Sequence, residues 1–272
     1  MSVESVRKSN DSMLRFPARL HVLLARDAPI GLVIRRGPSK QVCTMLWNRK
    51  EDAFELGQWL KGRIYERRCD LTVDGRYFIY FAMNGRWESE VKGSWTAISR
   101  APYLKAIALF LKGDCWNGGG LFTGKHFYWL NDGCGHEELT TTKELVRDET
   151  FRPVEYYGGE CPGVYYPRLL RDGWELVRSE KTGKWSDLTV FEKPLIKGWI
   201  LRKLAHGEVG APPGKGCYWD EHELLHTISG KRLVWASDGK LYAARLTVAG
   251  LINEHELYDF NDMKFEPIKA PY

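Results

Sequence analysis

The residues that point most directly to chemistry are His222, Glu223 and His226, in the stretch His222-Glu223-Leu224-Leu225-His226. This is the HExxH pattern, in which two histidines one helical turn apart bind zinc and the glutamate acts on a metal-bound water. That chemistry requires a helix, because residues i and i+4 of a strand share a face but lie roughly 13 Å apart. The element that carries residues 222–226 therefore decides whether they can form a metal site.

Two other sets of residues could do chemistry. Asp132, Cys134 and His136 are three potential metal ligands within five residues, although their glycine-rich setting favours an exposed connection between strands. Several carboxylates could supply an acid and a base for glycoside cleavage if the fold brought two of them together. They are also explained as turn residues that cap backbone N–H groups. These carboxylates are Asp70, Asp114, Glu221 and Glu223.

The elements that would position these residues follow from an internal repeat. The segment 226–239, HTISGKRLVWASDG, aligns with 120–133, GLFTGKHFYWLNDG, and weaker copies occur at 71–85 and 169–183. A fifth and looser copy lies around residues 23–40. The leading glycines are at 75, 124, 173 and 230 in the first four copies and at 31 in the loosest. Asp-Gly and Ser-Gly favour tight turns, and the aromatic and β-branched runs between them favour strands. Repeats of this length predict an all-β protein, a β-propeller of about five antiparallel blades, with a four-bladed form or an irregular β-sandwich as the alternatives.

The stretches LTVDGRYFIYFAMNG (71–85) and TISGKRLVWASDGKLYAARL (227–246) resemble the WD40-like PD40 repeat of TolB-type β-propellers. In that family, a turn of small residues and Asp-Gly separates the innermost strand of a blade from the second one. The resemblance implies an architecture and says almost nothing about function, because propellers host binding, scaffolding and several chemistries. We expect a lead-in at residues 1–20 and one propeller domain at 21–272.

This register assigns residues 222–226 to the innermost strand of the last repeat, at positions equivalent to 67–71 and 116–120. None of these segments is expected to be helical, so the HExxH pattern is interpreted as accidental, and no zinc, other metal or cofactor is predicted. Trp116-Asn117-Gly118-Gly119-Gly120 predicts close backbone packing near the propeller axis. The face at which the innermost strands begin is the expected binding face. Its candidate binding residues are Arg68, Asp70, Trp116, Asn117, Arg168 and His222.

The longest stretch without repeat signals is 144–168. Its four tyrosines, tandem glycines and three prolines predict an aromatic loop or an irregular strand pair. Tyr156, Tyr157, Tyr165 and Tyr166 are expected either to fill gaps between blades or to act as exposed binding anchors.

Composition narrows the class of protein. The 272 residues are 43% hydrophobic and 28% charged, and the six cysteines are dispersed without a CxxC pair. With no secretory apolar segment near the first residues, we expect a cytoplasmic protein with free thiols and no membrane association. Residues 1–68 carry 14 Lys+Arg and 7 Asp+Glu, but these charges are spread along strands and turns, so a nucleic-acid partner is not expected.

No catalytic residues are assigned, because no constellation other than those above has the spacing of an active site. The function predicted is a non-catalytic interaction module, a propeller scaffold that binds a protein partner. The alternative is a hydrolase with its active site in the axial funnel. It would cleave glycosides with paired carboxylates or, less favoured, use the HExxH pattern as a zinc site.

Overall fold

A computed structural model describes residues 16–37, 40–133, 135–153, 161–181, 187–195, 198–206, 224–226 and 231–272. This part of the chain is mostly β, with twenty strands in five sheets, and it contains one α-helix. The mostly β composition predicted from the sequence is therefore confirmed. The sheets are numbered I to V in chain order.

Sheet I is an antiparallel meander of β1 (Arg19–Leu24), β2 (Ile30–Arg36), β3 (Gln41–Asn48) and β4 (Ala53–Lys61). Sheet II begins with β5 (Arg63–Ile64), β6 (Asp70–Leu71), β7 (Tyr77–Met83), β8 (Ser94–Arg100) and β9 (Ala106–Leu111). Sheet III holds β10 (Gly120–Phe122) and β11 (Phe127–Leu130); β12 (Glu137–Thr140) then returns to sheet II, and β13 (Val146–Arg147) to sheet III. The helix α1 (Cys161–Arg171) precedes sheet IV, which consists of β14 (Glu175–Lys181), β15 (Asp187–Pro194) and β16 (Ile200–His206). Sheet V consists of β17 (Leu224–His226), β18 (Arg232–Ser237), β19 (Lys240–Thr247) and β20 (Gly250–Asp259).

The turns of the repeat lie where the sequence predicted them in two sheets. Gly75 has a φ of 78° in the turn between β6 and β7, and Gly124 lies in the turn between β10 and β11. In the first of these turns, Asp74 accepts hydrogen bonds from the Thr72 hydroxyl and the Arg76 N–H. The fifth copy was aligned wrongly, because Gly31 lies inside β2 rather than in a turn.

Helix α1 is the largest departure from the prediction. The sequence predicted an aromatic loop or irregular strands up to residue 168, and a strand–turn–strand copy at 169–183. Instead, the helix takes the place of a first strand, and β14 follows it in the position of a second strand. Gly173 ends the helix with a φ of 83°, and the N–H groups of Gly173 and Trp174 donate to the carbonyls of Leu170 and Leu169. This is a Schellman cap, so the glycine of the repeat keeps a turn function in a different element.

Side-chain packing joins the sheets in sequence. Sheet I shares an apolar cluster with sheet II, sheet II with sheet III, and sheet IV with sheet V. Helix α1 contacts both β10 of sheet III and β14 of sheet IV. Sheet V packs on sheet I through Val234 and Ala243 against Val33 and Trp47, so the last sheet meets the first.

The segment that follows β20 strengthens this contact between the two ends of the described chain. The Ala18 N–H donates to Asn261 Oδ1 at 2.9 Å, and Arg35 Nε donates to the Phe260 carbonyl at 3.1 Å. Further along, the Gln58 side chain donates to the Ile268 carbonyl at 2.7 Å. Residues 260–272 thus run back across sheet I. Across the described residues, no helix combines the length and the apolar character needed to cross a membrane.

Candidate functional site

The structure separates the six candidate binding residues into three groups. Arg68, Asp70, Asn117 and Arg168 are buried. Trp116 is 58% exposed. His222 lies outside the described residues. The buried residues have internal partners, so we consider first what they position.

Arg68 holds the loop that carries Trp116. It belongs to a 3-10 helix, Glu66–Arg68, that interrupts the inner edge of sheet II, where no helical structure was predicted. Its Nη1 donates to the carbonyls of Cys115 at 2.8 Å and Asn117 at 2.5 Å. Its guanidinium carbon lies 5.0 Å from the ring centre of Tyr65 and 5.1 Å from that of Phe81. A buried guanidinium with aromatic rings beside it and bonds to the residues on both sides of Trp116 fixes this loop in place.

The backbone of the loop is equally constrained. Asn117, Gly118 and Gly119 have φ values of 55°, 83° and 74°. A Cβ atom on Gly119 would lie 2.0 Å from the carbonyl oxygen of Arg68. The Gly118 N–H donates to the Asn131 carbonyl, and the Asn131 N–H donates to the Gly119 carbonyl, both at 3.0 Å. The close backbone packing predicted for WNGGG is therefore confirmed, and only glycine fits at residue 119.

Trp116 projects from this fixed loop. Its N–H donates to Asp114 Oδ1 at 2.8 Å, and Asp114 in turn pairs with Lys112 at 2.9 Å. Its indole has no ring contact or side-chain hydrogen bond with another described residue. A large apolar side chain that a rigid loop holds in solvent has the properties of a binding anchor, because little conformational entropy is lost when it is buried.

Asp70 and Arg168 serve a different purpose, which is to fix helix α1. Arg171 donates to both carboxylate oxygens of Asp70, at 2.5 and 2.8 Å, and Asp70 also accepts the Phe122 N–H at 2.8 Å. Burial alone would lower the pKa of Arg171, but the charges of Asp70 and Asp172 outweigh it and raise that pKa. Arg168 donates to the carbonyl of Cys69 and approaches His21 Nε2 at 3.0 Å. The helix is thus joined by charged side chains to sheets I, II and III.

The carboxylates proposed for glycoside cleavage do not form a free pair in the described chain. Asp70 is occupied by Arg171 and a backbone N–H, and Asp114 by Lys112 and the Trp116 N–H. Glu221 and Glu223 lie outside the described residues. Cleavage by two carboxylates needs one of them to protonate the leaving oxygen, which a carboxylate engaged by a cation does poorly.

The HExxH pattern is only partly described. Leu224–His226 forms β17 and pairs with β18, with His226 opposite Leu233. This agrees with the predicted strand, while His222 and Glu223 lie outside the described residues. Within the described ranges, no group of three His, Cys, Asp or Glu side chains is placed to hold a metal ion. The absence of zinc stays a prediction.

A relay of hydrogen bonds around His136 was not predicted. Residues 132–136 were expected to be an exposed connection, yet the His136 side chain is only 1% exposed. Its Nδ1 lies 2.6 Å from Asp132 Oδ1 and its Nε2 lies 3.0 Å from Thr96 Oγ1, which accepts the Gly119 N–H at 2.8 Å. The carboxylate fixes the proton on Nδ1, so the Thr96 hydroxyl donates to Nε2.

This relay has the residue order of a nucleophile–base–acid triad, but Thr96 is completely buried and has no access to a substrate. Burial lowers the pKa of His136, against the opposing effect of Asp132, so the ring is neutral at neutral pH. We interpret the relay as a support for the Trp116 loop through Gly119. In the sequence, the spacing of Asp132 and His136 is the signal for this relay, but that spacing predicted only a possible metal site.

The comparisons with known proteins add little to this geometry. No family model matches the chain, and no curated protein matches it. Among solved structures, the GH43 BlXynB protein from Bacillus licheniformis is similar, with a TM-score of 0.33 and 11% sequence identity. The alignment covers 96% of this chain and 60% of that one, so the chain spans less than two thirds of that protein. A TM-score this low supports no conclusion about fold or activity.

Proposed function

We propose that the chain is a β-propeller of five blades and that it acts as a non-catalytic module that binds a protein partner. Three observations support the architecture: the five sheets follow one another along the chain, each packs on the next directly or through α1, and sheet V packs on sheet I. Helix α1 replaces the innermost strand of the fourth blade. Of the two stretches that resemble the PD40 repeat, 71–85 contains β7 of the second blade, and 227–246 contains β18 and most of β19 of the fifth.

The observation that carries the binding function is the presentation of Trp116. The loop that presents this exposed indole is held by a buried arginine, by two glycines with positive φ and by the His136 relay. In protein interfaces, binding energy is concentrated in a few tryptophan, tyrosine and arginine residues at the centre of the contact. In the proposed function, Trp116 is the anchor, and Arg68 and Asn117 are positioning residues beneath it.

The experiment compares Trp116→Ala with Trp87→Ala as the matched control. Trp87 is 49% exposed in the loop between β7 and β8, where its ring covers Gly93. The full chain and each variant are used to capture proteins from the native host, and the captured proteins are quantified by mass spectrometry. We expect at least one protein whose retention falls with Trp116→Ala only, with a loss of affinity of about 30-fold, equivalent to about 2 kcal/mol.

Thermal unfolding provides the control for folding. Trp116→Ala should leave the melting temperature within about 2 °C of the wild type, because an exposed side chain contributes little to stability. Equal retention of every captured protein by both variants would refute the role of Trp116. Turnover of a glycan library by the purified wild type would refute the non-catalytic function.

A further inference from the structure

A second apolar surface lies at the junction of sheets IV and V. It is formed by residues 199–200, at the start of β16, and by the turn between β19 and β20. We call it the IV–V patch, and its members are Trp199, Ile200, Val248 and Leu251. All four side chains are exposed, and Val248 is the most exposed at 67%.

The patch is held in a fixed arrangement. Trp199 Nε1 donates to the Thr247 carbonyl at 2.9 Å, which ties the start of β16 to the turn between β19 and β20. Within that turn, the Thr247 hydroxyl donates to the Gly250 carbonyl at 2.8 Å. Directly beneath, Leu201 and Leu246 are buried in the core shared by the two sheets. The exposed side chains therefore form a preformed surface on a packed base, as binding surfaces commonly do.

The IV–V patch lies at the opposite end of the sheets from Trp116. Lys231 directly precedes the second strand of its sheet, as Arg76 and His126 do in sheets II and III. The Leu246 N–H donates to the Lys231 carbonyl at 2.7 Å, so the patch lies at this end. Trp116, in contrast, precedes the innermost strand β10. A ligand on the patch would therefore not compete with one on Trp116.

The charged residues within the segments that form the patch and its immediate border, Lys231 and Arg245, are both cationic. Lys231 and Arg245 are exposed, and neither has an ion-pair partner among the described residues. Residues 198–201, 231 and 245–252 contain no carboxylate. An apolar surface with a cationic border is complementary to apolar side chains flanked by carboxylates.

We propose that the IV–V patch is a docking site for a segment of a partner protein in which apolar side chains are flanked by Asp or Glu. A second copy of the chain is a poorer occupant, because a symmetric contact would bring the cationic borders of two patches together. An anionic membrane is also a poorer occupant. Segments that bind anionic lipid carry about four to eight clustered cations, and the described border of this patch has two.

The test uses random peptides displayed on phage and selected on the full chain. The variant is Val248→Asp, which places a carboxylate at the centre of the patch in a turn that tolerates it. The matched control is Val146→Asp, at an exposed valine of sheet III. We expect a group of peptides that is enriched on the wild type and on the control but not on Val248→Asp. These peptides should share apolar residues flanked by at least two carboxylates.

A synthetic member of that group then provides affinities. Its dissociation constant should rise at least tenfold for Val248→Asp and about fivefold for Lys231→Glu. It should also rise with salt, because exposed charges are screened beyond the Debye length, and it should stay unchanged for Trp116→Ala. Selection of peptides without an acidic excess would overturn the proposal, as would the absence of any group that depends on Val248. So would binding of the wild type, but not of Val248→Asp, to vesicles of phosphatidylcholine and phosphatidylserine. Dimerisation abolished by Val248→Asp would also overturn it.

Discussion

Replacing Asp70 by Asn removes one negative charge from the contact between helix α1 and sheet II. The Asp70 side chain is 2% exposed and accepts three hydrogen bonds, two from Arg171 and one from the Phe122 N–H. Asparagine has one acceptor oxygen, and its NH₂ group would face the donors of Arg171. The variant therefore leaves a largely buried guanidinium without its main counterion.

The burial of the ion pair sets how much stability Asp70→Asn should remove. Breaking a buried ion pair by removing one partner costs about 3–5 kcal/mol. Arg171 is 22% exposed and retains Asp172 at 2.9 Å from its Nε, which compensates part of the lost interaction. We therefore expect Asp70→Asn to lower the free energy of unfolding by about 2–3 kcal/mol. Since domains are stable by about 5–15 kcal/mol, the variant should still fold.

Urea unfolding measures this loss, followed by tryptophan fluorescence and by far-UV circular dichroism to check that the two transitions coincide. Asp172→Asn is the matched control. Its carboxylate also pairs with Arg171 but is 30% exposed, so we expect a cost below about 1 kcal/mol. Adding Arg171→Met to Asp70→Asn should recover part of the loss, because the unpaired charge is then removed. A loss below about 0.5 kcal/mol for Asp70→Asn, or equal losses for the two asparagine variants, would refute this account of how α1 is held.

Three further predictions concern the loops and the histidines. Gly119→Ala should lower the free energy of unfolding by at least about 3 kcal/mol, because its Cβ would meet the carbonyl oxygen of Arg68. Gly135 has a similar φ but lies in open space, so Gly135→Ala should lower it by about 1 kcal/mol. Equal losses for the two variants in urea unfolding would contradict the close approach at residue 119. Because the pKa of His136 is lowered in the folded state, its contribution to stability is complete above the ordinary pKa of about 6.5 and is lost as the pH falls below that value. His136→Gln should therefore flatten the acid side of the plot of urea midpoint against pH, and an unchanged slope would count against a buried neutral ring. Purified protein should contain no stoichiometric zinc, and one zinc per chain that is lost on changing His226 would show that the HExxH pattern binds metal.

The turns and central strands could be predicted because their signals are local. Asp74-Gly75 and the Gly124 turn have the chemistry of tight connections, and the aromatic runs that follow them form β7 and β11. Repetition strengthened each assignment, since one register explained several segments. Gly31 was misplaced because a single glycine with no turn residue beside it carries no such information.

Helix α1 could not be predicted, because the residues that stabilise it are distant in the sequence. Gly163 and Pro167 are signals against a helix, whereas Pro162 lies in the first turn, where proline is tolerated. The contacts that outweigh them come from Asp70 and Phe122, which lie 101 and 49 residues from Arg171. Tertiary packing overrides local propensity in such a segment.

The candidate site shows the same limit. The register of the repeat assigned residues 116–120 to a strand, but only Gly120 lies in β10, and Trp116 belongs to the loop before it. Nor could the register show that Arg68 is turned inward to hold that loop. Tyr165 and Tyr166 are buried against sheet IV, so they are not exposed binding anchors, whereas Tyr156 and Tyr157 lie outside the described residues. The IV–V patch was not foreseen, because Trp199 and Val248 belong to no repeated motif and become neighbours only when two sheets pack together.

A helix between sheets III and IV changes how that part of the molecule can open. A strand that leaves a sheet breaks a ladder of backbone hydrogen bonds with its neighbour, whereas α1 is joined to the sheets through its side chains, so its undocking leaves the backbone ladders of the sheets intact. Among the described residues, its detachment breaks contacts of its side chains, chiefly those of Arg168, Arg171 and the buried tyrosines. The helix therefore forms a separate cooperative unit, whose amides would exchange with solvent through a local opening of lower free energy than that of β7 and β8. Such an opening would expose the Asp70 carboxylate and the Phe122 N–H to water while the surrounding strands stay folded.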